Sequence, residues 1–158
     1  MEAHGLLSIV STVMFSSTMM EVYMSRGIGG KAELIAHDDT DVVYAYSVYN
    51  LNETAHMDVI SILDGEIHLK RDCFTEPEIH NKRVRKPSGK KVLVEKRIVK
   101  IPDYGAMITN GSITIKNASH CFQTSSEGID IMALHLLYIL FQRYQEDGEL
   151  PTQISYHV

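Results

Sequence analysis

The chain has no tryptophan and only two cysteines, Cys73 and Cys121. Two thiols cannot build a disulfide framework, so a small secreted scaffold held by crosslinks is excluded and a reducing compartment is the easier setting. With Trp absent, eight Met and eight Tyr share the bulky packing, as soft and amphipathic side chains do. Four prolines are too few for a Pro-rich linker, and no repeat or low-complexity segment occurs. The opening MEAHGLLSIVSTVMFSS lacks the basic residues of a secretory signal, with Glu2 and His4 where Lys or Arg would stand. Its apolar stretch is broken by Ser8, Ser11, Thr12, Ser16, Ser17 and Thr18, which excludes a membrane span there. A cytoplasmic location is expected. Three N-x-S/T sequons, at Asn52, Asn110 and Asn117, carry no weight without a secretion signal.

Catalytic signatures are missing too. There is no G-x-S-x-G, no Walker A loop, no G-x-G-x-x-G and no H-E-x-x-H. The run GIGG lacks the strand-to-helix context that would let backbone amides cradle a phosphate. His68, Cys73, His120 and Cys121 do not have the C-x2-4-C and H-x3-5-H spacing of structural zinc sites, and neighbours such as His120 and Cys121 point apart on an extended chain. No metal or cofactor is expected. Cys121 matches no local nucleophile signature and reads as a small apolar core residue. His135, in an apolar helical run, reads as a hydrogen-bonded core histidine.

What is present is an ordinary globular composition, 44% apolar and 22% charged over 158 residues. This is the length of one domain, 1–158, able to bury roughly 70% of its unfolded surface without staples. The net charge of −5 is unevenly distributed. Residues 1–78 hold thirteen acids and four bases, 79–100 nine bases and one acid, and 101–158 six acids and two bases. A short cationic segment thus sits between two acidic ones.

Residues 5–24, rich in β-branched residues, favour strand over helix, with a helix over 5–15 as the alternative. RGIGGK, with three glycines in four positions, predicts a turn joining EVYMS and AELIAH as a hairpin. DDTD is a second turn. In the following VVYAYSVYNL both faces are largely apolar or aromatic, which predicts a central strand. Asp64-Gly65 predicts a hairpin between MDVISIL and EIHLKR, and Asn110-Gly111 another between AMIT and SITIKN. Residues 73–82 read as loop because of Pro77. PSG at 87–89 folds the basic segment into a hairpin. Thr124 and Glu127 suggest a capping box ahead of a helix, IDIMALHLLYILFQRYQ, apolar nearly all round and stopped by Gly148 and Pro151. TQISYHV adds a last strand. The fold class predicted is α+β, an antiparallel, hairpin-built sheet packed on one long buried C-terminal helix.

Two charged clusters are the candidate sites. Lys82, Arg83, Arg85, Lys86, Lys90, Lys91 and Arg97 lie on the basic hairpin 82–100, with Lys96 and Lys100 beside them. They suit an acidic protein or several phosphates. No aromatic residue lies between Phe74 and Tyr104 to stack on bases. The bland alternative is a solvated hairpin paired with the chain's own Glu76 and Glu78. Glu33, Asp38, Asp39 and Asp41 form an anionic patch suited to a cationic protein, and they lack the EF-hand ligand pattern; an ordinary solvated turn is the alternative. The expectation is a small non-catalytic protein-binding domain of the inhibitor or immunity-protein kind. Its partner is another protein, and no membrane is involved. A nucleic-acid-binding protein using the hairpin and a small enzyme with an unrecognised site remain as alternatives.

Overall fold

The computed structural model describes residues 26–52 and 62–158. The element order is β1 (Ile28–His37), β2 (Asp41–Asn50), β3 (Gly65–Lys70), a single 3-10 turn (Arg71–Cys73), β4 (Glu78–Arg85), β5 (Lys91–Ile98), α1 (Tyr104–Thr109), β6 (Ile113–Lys116), α2 (Ile131–Asp147) and β7 (Gln153–His157). Five strands form one antiparallel sheet in the order β6-β3-β2-β1-β7, while β4 and β5 form a separate two-stranded ribbon. The molecule is α+β, as the pattern of elements predicts.

β2 is the middle strand. Val42, Tyr44, Tyr46 and Val48 on one of its faces are all at most 1% exposed and meet Leu136, Leu137, Leu140 and Phe141 of α2 in one hydrophobic cluster. The opposite face carries the smaller Ala45 and Ser47, which are also buried. Burial of four such side chains contributes on the order of 1.5–3 kcal/mol each, so β2 and α2 dominate the core.

Several local readings are corrected. Gly29 and Gly30 lie inside β1, not in a turn. A Cβ on Gly30 would stand 2.8 Å from Met132 Cγ of α2, so this glycine answers close helix–sheet approach. The proposed first arm EVYMS lies outside the described residues, as do residues 5–24 and most of MDVISIL. Gly65 opens β3 with the Tyr46 ring filling the space that a side chain there would need. Pro77 does not hold 73–82 in a loop, because β4 begins at the next residue; proline is tolerated ahead of a strand that needs no donor there.

AMIT is helical, the end of α1, which is capped by Asp103 accepting from the Ala106 amide at 3.1 Å. Asn110 and Gly111 (φ 86°) terminate that helix and form no two-stranded hairpin. Gly111 serves either role, since a helix end and a tight hairpin turn both call for a left-handed residue there, while Asn110 stays right-handed as the helix cap at φ −85°. The Thr124–Glu127 capping box is also absent: Thr124 bridges Asp130 across a small loop, and Asp130 itself caps α2. Gly148, at φ 74°, ends α2 as expected. This helix is buried on one side only. His135 and Tyr138 face outward, with Tyr138 45% exposed, so the apolar run overstates how much of the helix is covered.

Candidate functional site: a cationic ribbon arm

β4 and β5 pair from Glu78↔Ile98 to Arg85↔Lys91. The loop is closed by Lys86 and Gly89, whose amides donate to Lys90 O and Lys86 O, each at 2.8 Å. Gly89 adopts φ 84° there, the left-handed position of a three-residue hairpin loop. Every residue of β4 is exposed, and no residue of either strand belongs to the hydrophobic core. The ribbon is an arm.

Its base is held. Arg97 Nη1 donates to Glu146 O at 3.5 Å, at the C-terminal end of α2, where a cation offsets the unpaired carbonyls and the helix dipole. The Lys100 amide donates to Gln145 Oε1 at 3.4 Å, and Gln145 Nε2 donates to Thr75 O at 2.6 Å. Glu78 sits between Lys100 Nζ at 2.5 Å and His80 Nε2 at 2.6 Å. Lys100, then His80, hold its carboxyl down at about 2. Glu76, the other acid expected to pair with the arm, instead accepts from Tyr144 Oη at 3.2 Å.

The distal half differs. Residues 81–94 contain six bases, Lys82, Arg83, Arg85, Lys86, Lys90 and Lys91, and no acid. Among the described residues none of the six forms an ion pair; of the nine bases in the segment only Lys100 does. Arg85 and Lys91 stand directly opposite each other, a like-charge pair that weakens a hairpin. Leu93, Val84 and Val94 are exposed beside them, Leu93 by 66%. These aliphatic positions were missed as site residues, although their alternation about the PSG turn marks them.

The acidic candidates are less available. Asp38 Oδ1 accepts from the Asp41 amide at 2.7 Å and the Thr40 amide at 2.8 Å, and these backbone donors lower its pKa. It staples the β1–β2 connection. Asp41 pairs with Lys70 Nζ at 2.9 Å. Asp39 is exposed and Glu33 half-buried on β1, so the structure does not gather the four carboxylates into one free cluster.

A second site to weigh is the cavity of about 240 Å³ at the start of α2, bounded by Phe122, Asp130, Met132, His135 and Tyr156 among others. Asp130 is 1% exposed. Its Oδ2 accepts from Tyr46 Oη at 2.9 Å and its Oδ1 from the Met132 amide at 2.9 Å. Burial raises its pKa. Both oxygens are therefore committed to the fold. Cys121, half-buried and not a core residue, donates to Gln123 O at 3.5 Å. Burial, and then the Asp130 charge, raise its thiol pKa, the reverse of an activated nucleophile. The buried thiol is Cys73. His135 is exposed and stacks on Tyr156, ring centroids 4.5 Å apart, so it is not a core histidine. Among the described residues no three His, Cys, Asp or Glu side chains converge as a metal set, and no helix is long and apolar enough to cross a membrane.

Compared with family models, with curated proteins and with solved structures, the chain finds no match in any of the three.

Proposed function

We propose that this protein is a binding module that docks an acidic surface of another protein with the distal half of its ribbon arm, in the manner of an inhibitor or immunity protein. One observation carries the reading: residues 81–94 hold six bases without an ion pair among the described residues, no acid, and an exposed Leu93, Val84 and Val94. An arm built only to be soluble would mix its charges. Concentrating one sign on a thin ribbon raises its free energy when alone and is relieved when carboxylates approach. The aliphatic side chains favour protein over nucleic acid, because phosphates offer them no apolar surface and the arm has no aromatic to stack on bases. No enzymatic role is proposed, since burial and the Asp130 charge raise the Cys121 thiol pKa and the Asp130 oxygens are consumed.

The test is affinity capture with the wild-type chain beside the triple variant Arg83→Glu, Arg85→Glu, Lys91→Glu. Wild type should retain one stoichiometric acidic protein that the variant loses. Equal recovery on both, or none on either, removes the reading. The ribbon form supports one competing interpretation, since a two-stranded ribbon fits the major groove of DNA. In that case mixed oligonucleotides should bind wild type at low salt with a steep loss as salt rises, and the triple variant should not bind. A cytoplasmic setting fits either interpretation.

A further inference from the structure

We infer that the arm captures its partner by strand addition: an extended segment alternating acidic and β-branched apolar residues pairs along the outer edge of β4. The inference rests on the protein-docking reading of the arm.

The register sorts the side chains. Residues directly opposite in an antiparallel pair share a face. The pairs Arg83↔Leu93 and Arg85↔Lys91 therefore lie on one face, and Lys82↔Val94 and Val84↔Val92 on the other. Over these four pairs one face is mainly cationic and the other mainly valine, while Lys86 and Lys90, joined at the tip, add two cations on the valine side. A strand laid against the edge would alternate its own side chains between those faces. Acidic residues would meet Arg83 and Arg85 on β4, and apolar residues would meet Val84 and lengthen the surface that Val92 and Val94 continue on β5.

The edge is open. Among the described residues β4 pairs only with β5, and β4 is exposed along all eight of its residues. β5 is half-buried at Val92 and Ile98, which makes β4 the freer side. A second copy of the arm is the wrong occupant, because it would bring Lys82, Arg83 and Arg85 against like charges. Basic side chains on an edge strand are a common way of preventing such self-pairing. An acidic extended segment is the occupant that charge complementarity selects.

The probe is a synthetic peptide of alternating Glu and Val, about the length of β4, added to the full chain at low ionic strength and followed by amide hydrogen exchange. Every second amide between Ile79 and Arg85 should gain about tenfold protection or more, equivalent to about 1.4 kcal/mol. A peptide alternating Lys and Val should give none. The pair Val84→Ser, Val94→Ser and the pair Arg83→Glu, Arg85→Glu should each weaken the Glu-Val peptide about tenfold. No arm residue touches the core, so these variants should keep the wild-type melting transition. Protection absent, confined to β5, or already present on β4 without peptide overturns strand addition, as does dimerisation through the arm on sedimentation. If the Arg83, Arg85, Lys91 triple variant loses a captured protein while the peptide protects nothing, docking stands and strand addition falls. If both experiments fail, both readings fall.

Discussion

At the scale of single residues, the buried polar contacts of Tyr46 and Asp130 hold the β2–α2 junction together. Tyr46 Oη donates to Asp130 and accepts from the Ala118 amide at 3.0 Å, while Asn117 Oδ1 accepts from the Asp130 amide at 3.0 Å. Tyr46→Phe leaves a buried amide and a buried carboxylate each short of a partner. Stability should fall by about 1–3 kcal/mol, read as a lower urea midpoint at unchanged slope. Cys121 gives a second expectation: iodoacetamide should label it only as pH rises above the ordinary thiol range of about 8.5. Fast labelling at neutral pH would contradict the raised thiol pKa. Little of this was legible from sequence. Asp130 is one acid among twenty, and nothing local announces that Tyr46, far away in the chain, will meet it. The Thr124–Glu127 pair gave a stronger local signal and was the wrong cap, because tertiary burial chose Asp130.

At the scale of elements, the arm separates from the body. Its distal residues contribute nothing to the hydrophobic cluster, whereas its base is tied to α2 through Arg97 and to Thr75 through Gln145. Replacing residues 82–94 by a two-residue Asn-Gly turn joining Asn81 to Glu95, which already face each other, should leave the melting temperature within a few degrees of wild type. The same excision should abolish partner binding. Circular dichroism melts and the capture experiment check the two halves of this expectation. The arm was the most legible element in the sequence, since the PSG turn, the flanking alternation and the charge all pointed to one hairpin. Its start was misplaced because Pro77 was given the authority of a strand breaker, when it only precedes the strand. Asn110-Gly111 misled for a related reason: a dipeptide that permits a left-handed backbone serves a helix end as well as a hairpin. The central strand and the C-terminal helix were readable because their periodic runs are long. How much of the helix is covered was not, since Tyr138 and His135 are judged by what lies opposite them.

At the scale of the whole molecule, pH offers the broadest test. Glu78, Asp41, Asp38 and Glu66 all have lowered pKa values, caused first by Lys100, by Lys70, by the Asp41 amide and by His68 respectively. The stability each contributes is present above its unfolded value, 4.5 for Glu and 3.8 for Asp, and is lost as pH falls toward the folded one, about 2 for Glu78. Asp130 has the opposite sign: its raised pKa means the folded state gains as pH drops through that value toward 3.8. Asp64 is lowered as well, and five groups against one predict a urea midpoint that declines on acidification below about pH 4.5, with Asp130 blunting the upper part of the decline. Because these lowered carboxylates lie at the surface, added salt should flatten the profile. Glu78→Gln should remove the acid sensitivity of amide exchange at the base of the arm and make the decline of the global midpoint below about pH 4.5 shallower.

The position of β1 carries a further consequence. It is hydrogen-bonded on one side by β2, its neighbour in sequence, and on the other by β7, with Gly29 opposite His157. During synthesis β1 and β2 can pair early, yet the far side of β1 stays an open template until α2 and then Gln153–His157 have left the ribosome. Such late, long-range closure slows folding and leaves an unpaired edge exposed to other nascent chains. Aggregation during expression should therefore respond more to lesions in the short strand after α2 than to any change in the arm.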